Sequence, residues 1–294
     1  MHKLIYNKIK KKYKSEFPYL VDIKITNKCN NNCVYCYQDS TIMGKECDFE
    51  TLQNIATSLK KVGTFEIVLG GGDVLTHPEL INIIKLFTNK LIKVGITIKY
   101  KQNLIIPEEI IKNVNTIAIS IDDHDCLNYK TIQWCKQFIS EWKNKNIFNS
   151  MCKGVYFQFI LELSNLKNIT YFIKEMQEKT TNMINVNLLG FKQFGRGEKC
   201  EVDLRYNENW IAESKLWLAY GCNTGIDSVI SSKYKNKLIE YGVNKNQLVC
   251  EEGKSTCYID AVEKYVAPSS FTEKKHVKFS ELDSKNFLQI FSKF

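Results

Sequence analysis

Arginine is almost missing from this chain. Its 294 residues hold two, Arg196 and Arg205, although Lys and Arg together number 41 and the net charge is +9. The planar guanidinium fork is the side chain best suited to bidentate phosphate and guanine contacts. A basic chain that relies on lysine is therefore a poor reader of nucleic acid, and the lysines between residues 8 and 14 read as a solvated helix face. Also lacking is any apolar run near the ~20 residues that a membrane span needs. The opening "MHKLIYNKIKKKYKSEF" has basic residues without the apolar stretch or small-residue cleavage site of a secretory signal. No membrane association, and the cytoplasm as compartment, are the expectations. A disulfide scaffold is excluded too, because 11 cysteines are an odd, scattered set and thiols stay reduced in that compartment. What is present is ordinary for a globular protein with an ample core: 44% apolar and 25% charged residues.

Six short runs alternate in the strand manner, at 20–25, 65–69, 94–98, 116–121, 155–161 and 184–189. Helix-period segments lie between them. Asp48 is placed to cap a helix whose apolar face is Phe49, Leu52, Ile55, Ala56, Leu59 and Val62. Thr76 and Pro78 open a second, Pro107 a third, Leu127 to Trp142 mark a fourth and Leu166 to Met176 a fifth. Repeating β–α units imply parallel strands with right-handed crossovers. Each strand run has one apolar face, such as Val21, Ile23 and Ile25, and one polar face, such as Asp22 and Lys24, Thr97 and Lys99, or Gln158 and Glu162. A doubly wound sheet reads apolar on both faces, and a closed barrel fills its interior with branched apolar layers. One polar face fits an incomplete barrel around a wet cavity. Barrel chemistry sits at the carboxyl ends of the strands. There this sequence places a cysteine cluster, "GGGD" (70–73), Ser120 with Asp122, and "GFKQFGRG" (190–197).

The cluster is "CNNNCVYC", with Cys29, Cys33 and Cys36 directly after the first strand. A structural zinc site wants four protein ligands, and no nearby His or Cys completes one. A Cys-x-x-Cys redox pair would leave Cys29 surplus. Three thiolates suit a cubane iron–sulfur cluster with one iron left open.

At residues 29–36 the chain resembles the radical S-adenosylmethionine (radical SAM) superfamily, whose hallmark is C-x3-C-x-Φ-C with an aromatic Φ, here Tyr35. The resemblance covers about residues 19–200. It implies an α/β fold, a partial (β/α)6 TIM barrel, in which the three cysteines hold a [4Fe–4S] cluster and S-adenosylmethionine (SAM) chelates the fourth iron. It also implies reductive cleavage of SAM to a 5′-deoxyadenosyl radical that abstracts a substrate hydrogen. Carried over position by position, Gly71, Gly72 and Asp73 match the turn that lets the backbone approach the SAM amino group, with Asp73 where the family has Glu. Ser120 and Asp122 match the ribose contacts, Leu189 and Phe191 flank adenine, and Arg196 binds the SAM carboxylate or a substrate acid.

"CEEGKSTCYIDAVEKYVAPSS" (250–270) looks like the opening hairpin of the SPASM or twitch extension of peptide-modifying members, in degenerate form, since Ser269 and Ser270 follow Pro268 where a cysteine is usual. One cluster is therefore expected; an auxiliary cluster on Cys222, Cys250 and Cys257 is the competing expectation. The expected layout is a basic N-terminal extension (1–18), the radical SAM partial barrel (19–200) and a short α+β C-terminal extension (201–294). The expected substrate is a peptide or a small molecule, with a peptide favoured, and the expected electron donor is a flavodoxin or ferredoxin. The rivals are a radical SAM enzyme acting on a nucleotide, nucleic acid or small metabolite, and a non-catalytic iron–sulfur protein.

Overall fold

In the computed structural model, which describes residues 15–145, 154–177, 183–200, 209–248, 250–272 and 276–294, all six expected strand runs form strands. They are β1 (Leu20–Thr26), β2 (Glu66–Gly71), β3 (Lys93–Lys99), β4 (Thr116–Ser120), β5 (Gly154–Ile160) and β6 (Ile184–Leu189). Each lies parallel to the next in chain order. The sheet then continues beyond both ends of this set. β7 (Cys222–Ile226) adds parallel to β6, and β8 (Thr256–Asp260) adds parallel to the free side of β1. β9 (Tyr265–Ala267) folds back antiparallel on β8, and β10 (Val277–Lys278) antiparallel on β9. The last third of the chain thus joins the same ten-stranded sheet. The lysine run at 8–14 and Arg205 lie outside the described residues.

The helices are α1 (Phe49–Val62), α2 (Leu80–Thr88), α3 (Glu108–Asn113), α4 (Tyr129–Lys145), α5 (Leu166–Gln177), α6 (Trp210–Ala219), α7 (Ser228–Lys233), α8 (Lys235–Glu240) and α9 (Ser284–Phe291). Asp48 caps α1 as expected, accepting from Thr51 N–H at 2.6 Å, and Gly63 closes it at φ 88°. Pro107 precedes α3. Two expectations are corrected. The helix expected from Pro78 begins at Leu80, because the residue before a proline avoids helical backbone and His77 is extended (φ −70°, ψ 121°). Leu127 is not on the apolar face of α4: it sits in the turn before that helix and is 54% exposed.

The alternation along the strands sorts the two faces as the polarity pattern requires. Val21, Ile23, Ile25, Ile96, Ile117, Phe157 and Val186 are buried in one apolar cluster with the inner faces of the helices. Phe172 of α5 meets Phe157 and Phe159 edge-on at 5.2 and 5.6 Å. Each such side chain contributes about 1.5–3 kcal/mol by leaving water. The opposite face lines a lumen. Asp22 there is hemmed in by protein yet open to water. Its crowded setting pushes the carboxyl up to about 6, a rise that nearby Lys192 partly offsets. Ser228, at the start of α7, donates to Glu252, just ahead of β8. Six strands separate β7 from β8 in the sheet order, so this contact shows the sheet curled round on itself as a partial barrel.

The lumen also holds the polar tie between the first strand and the C-terminal segment. Lys24 and Asp260 are partners in the β1–β8 register, and their charged ends meet at 3.2 Å with side chains 8% and 2% exposed. Asp260 further accepts from Val262 and Glu263 N–H. Removing one member of such a pair strands the other charge in the interior. Asp260→Ala is expected to cost about 3–5 kcal/mol, read as a fall in the urea midpoint, whereas the double change Lys24→Met with Asp260→Leu should recover most of that loss.

Candidate active site at the carboxyl rim

The segment leaving β1 holds its shape by individual hydrogen bonds. Cys29 N–H donates to Thr41 O at 2.8 Å, and Thr41 N–H to Asn27 O at 3.1 Å, which closes the base of the loop. Inside it, Cys36 N–H reaches Cys33 O (3.2 Å) and Asp39 N–H reaches Cys36 O (3.3 Å). Left-handed corners fall at Asn32 (φ 47°) and Asp39 (φ 51°), residue types that accept that backbone. Cys29 is buried, and Cys33 and Cys36 are half-buried. Burial pushes the Cys29 thiol up, and Asp73, Cys33 and Cys36 push it further. The three thiols therefore share one electrostatic neighbourhood. Three sulfurs without a histidine are the donor set of an iron–sulfur cluster, in which each cysteine takes a separate iron, so the residues fit that group.

Two glycine turns press on this loop. Gly72 N–H donates to Thr26 O (2.8 Å) and Asp73 N–H to Lys28 O (2.9 Å). Gly71 adopts φ 122°, and a Cβ at Gly72 would stand 2.2 Å from Lys28 O. From the other side, Gly195 (φ 54°) has room for a Cβ only at 2.9 Å from both Cys36 O and Tyr37 O. Arg196 in this turn binds the loop: its N–H donates to Cys36 O (3.0 Å), Nε to Cys33 O (3.1 Å), and one terminal nitrogen to Ser40 O (2.9 Å) and the Asp39 carboxylate (3.1 Å). The guanidinium thus holds both loop backbone and one acid of the loop. Asp73 is 4% exposed, caps the following turn through Leu75 N–H, and pairs with Lys101 at 3.0 Å.

Strands β3 and β4 bring a further polar group to the same rim. Lys99 Nζ donates to both carboxylate oxygens of Asp122 (2.7 and 2.6 Å) and to the Tyr35 hydroxyl (2.5 Å), while that hydroxyl also bonds Asp122. Burial and the adjacent Asp122 hold the Tyr35 phenol firmly protonated. Asp122, His124 and Asp125 converge within 4.8 Å, but Lys99 already occupies both Asp122 oxygens. Sequence reasoning put Lys99 on the polar strand face without giving it a role. The fold supplies what the sequence did not: Lys99 pairs with Ser120, so both end their strands side by side. Ser120 donates to Gln158 at 3.3 Å. Leu189 ends β6, and Phe191 follows with its N–H on Glu162 (2.9 Å), beside a cavity of about 480 Å³.

The cysteines of the C-terminal half are arranged differently. Cys222 and Cys257 are buried and Cys250 is exposed. Burial pushes the Cys222 thiol up to about 12 and raises that of Cys257 well above its usual value. Ser270 contacts the Tyr37 hydroxyl (3.2 Å) and Ser269 the Thr272 hydroxyl (2.6 Å).

Residues 23–137, which carry the cysteine loop and the first glycine turn, match the radical SAM superfamily. The likeness is to that segment, and members of the superfamily use a [4Fe–4S] cluster and SAM. Over 64 residues the chain is 30% identical to a probable GTP 3′,8-cyclase of Methanothermobacter marburgensis, a match spanning 21% of each chain. Its fold resembles Streptococcus suis SuiB bound to precursor peptide SuiA (TM-score 0.67, 12% identity, 99% of this chain and 67% of that one). It also resembles anSMEcpe with bound AdoMet and Cp18Cys peptide (TM-score 0.60, 15% identity, 94% and 80%). The chain thus spans about a fifth of the curated relative and about two thirds of SuiB. Among the described residues no helix is long and apolar enough to cross a membrane.

The three glycines of "GGGD" separate cleanly by what a side chain would meet. A Cβ at Gly70 meets nothing within 4 Å, whereas one at Gly72 collides with the backbone directly before Cys29. Gly70→Ala should retain wild-type iron after anaerobic reconstitution. Gly72→Ala should lose at least half of it along with SAM binding, because the cysteine loop itself must move. Iron assay and equilibrium dialysis of SAM check both.

Proposed function

We propose that this chain reductively cleaves SAM and directs the resulting 5′-deoxyadenosyl radical at a hydrogen atom of a peptide substrate. The observation that carries this reading is the cysteine loop, fixed between two glycine turns and Arg196 at the carboxyl rim of a partial barrel. When bound, the cluster and SAM supply the one-electron cleavage of the sulfonium. Cys29, Cys33 and Cys36 hold the cluster. Gly71, Gly72 and Asp73 offer the backbone edge for the amino-acid end of SAM, with Tyr35 beside it. Ser120 and Asp122 face the ribose, Leu189 and Phe191 the adenine. Arg196 fastens the loop, its guanidinium donating to the Cys33 and Ser40 carbonyls and pairing with the Asp39 carboxylate. Lys99 holds the Asp122 carboxylate in place through both its oxygens. A flavodoxin or ferredoxin supplies the electron.

The peptide assignment draws on the likeness to two structures determined with bound peptides and on the way the segment 268–272 reaches the rim through Ser270 and Tyr37. The short similarity to a GTP cyclase favours a nucleotide as the second reading.

Reconstituted, reduced protein is expected to convert SAM to 5′-deoxyadenosine, with about four irons per chain from a single cubane. Cys33→Ala should abolish the conversion, and Cys250→Ala with Cys257→Ala should leave both quantities in place. A chain that holds four irons and releases no 5′-deoxyadenosine is the non-catalytic iron–sulfur protein instead. Seven or eight irons, falling to four in the double variant, would place an auxiliary cluster on Cys222, Cys250 and Cys257.

Lys99 gives a separate check on the ribose end. Hydrogen bonds to charged groups contribute about 1.5–3 kcal/mol, so Lys99→Met should weaken SAM binding roughly ten-fold or more while leaving the iron content unchanged. Lys99→Arg should restore part of the affinity, since it keeps the charge opposite Asp122.

A further inference from the structure

Apart from Phe191, the lining of the cavity of about 480 Å³ after β6 is not used by the cofactor reading. Three phenyl rings line it, Phe191 and Phe194 from the segment after β6 and Phe271 from the segment after β9. Phe194 and Phe271 stand 6.4 Å apart between ring centres, so the C-terminal segment forms one wall. Glu162, Lys192 and Lys233 supply the charge. Glu162 is only 3% exposed, and both its oxygens are taken, one by Lys233 Nζ (2.8 Å) and one by Phe191 N–H (2.9 Å). Lys233 is thereby neutralised.

Lys192 is not. Its ammonium lies over two rings, 4.6 Å from the centre of Tyr37 and 4.7 Å from that of Phe271. Asp22 and Asp227 sense its field, but among the described residues no carboxylate reaches it within ion-pair distance. Tyr37 directly follows Cys36, so this cation stands against the cysteine loop. A cavity of this size takes a side chain or two, not a folded partner. Its walls ask for an apolar body, and its surplus charge asks for one anion. A triphosphate, with several charges, would find a single free cation here and would face Glu162.

We propose that this cavity is a substrate subsite for a carboxylate carried on an apolar stem, an acidic residue of a peptide, with Lys192 pairing the carboxylate and Phe194 and Phe271 packing the stem. The assignment rests on the reading of the rim as the place where a peptide is modified. It makes Lys192 a specificity residue.

The test uses reconstituted full-length protein with SAM present and three capped dipeptides: N-acetyl-Leu-Glu-amide, N-acetyl-Leu-Gln-amide and N-acetyl-Leu-Lys-amide. Binding is followed by saturation-transfer NMR and titration calorimetry. The Glu dipeptide should bind at least ten-fold tighter than its Gln isostere. Lys192→Met should erase that preference while keeping wild-type iron content and SAM affinity, and Lys192→Glu should turn it toward the Lys dipeptide. Phe271→Ala should weaken all three alike. Equal affinities, no binding of any dipeptide, or a Glu preference that survives Lys192→Met would overturn the proposal. So would displacement of the Glu dipeptide by added SAM, which would hand the cavity to the cofactor. GTP binding that depends on Lys192 and exceeds the Glu dipeptide would assign the cavity to a nucleotide. SAM cleavage is measured without dipeptide in the same samples, so failure of the radical chemistry and failure of the subsite are read separately.

Discussion

The active rim depends on backbone lying against backbone where no side chain intervenes. The cysteine loop has no ladder of its own to hold it, so its geometry comes from Gly72 on one flank and the Gly195–Gly197 turn on the other, each within a Cβ's width of a loop carbonyl. Arg196 then gathers three separate loop oxygens with one planar group. Residues more than 150 positions apart in the chain are fixed to each other by this arrangement. Correct closure of β6 beside β5 is therefore a condition for the thiols after β1 to stand in place. The barrel assembles the site; the loop alone cannot.

The polar lumen is the second consequence of the strand pattern. Because most inward positions between Asp22 and Asn187 are polar or small, Val68 and Ile160 being exceptions, the sheet does not collapse onto itself and is propped open. It is propped by ion pairs: Lys24 with its register partner Asp260, and Lys99 with Asp122, just past the end of β4 near the mouth. These contacts cost desolvation that an apolar core would not. In return they keep a water-accessible space with charge at defined heights, and Lys99 extends that order to the aromatic residue of the cysteine motif.

Much of this was legible in the order of residues. Period-two alternation located all six consecutive strands, and Asp48 announced its helix, because those signals are local. β7 was missed because "CNTGI" carries no alternation: it is a strand by virtue of β6 beside it, with Gly225 set where a side chain would strike Asn187. The pairing of β8 with β1 was hidden for the same reason, since register between residues 20 and 256 leaves no trace in either segment. The cysteine spacing picked out three thiols that the structure holds on one loop. What spacing could not give was partner choice. Arg196 looked like a receptor for an acid, and the turn sets it against the Cys33 and Ser40 carbonyls as well as the Asp39 carboxylate. Lys99 looked like one more polar strand residue, and it sits at the centre of a three-membered contact.

The sheet ends in two unequal margins, and this bears on how the molecule behaves in a crowded solution. One margin is β10, two residues long; the other is β7, five residues with a glycine near its end and an asparagine pointing out. Neither offers the long, flat, apolar edge on which a second chain could add a strand. The Ser228–Glu252 contact also places side chains across the opening between β7 and β8. An open barrel would otherwise be an invitation to edge-to-edge stacking. Here the opening stays available to small ligands while remaining a poor template for fibrils.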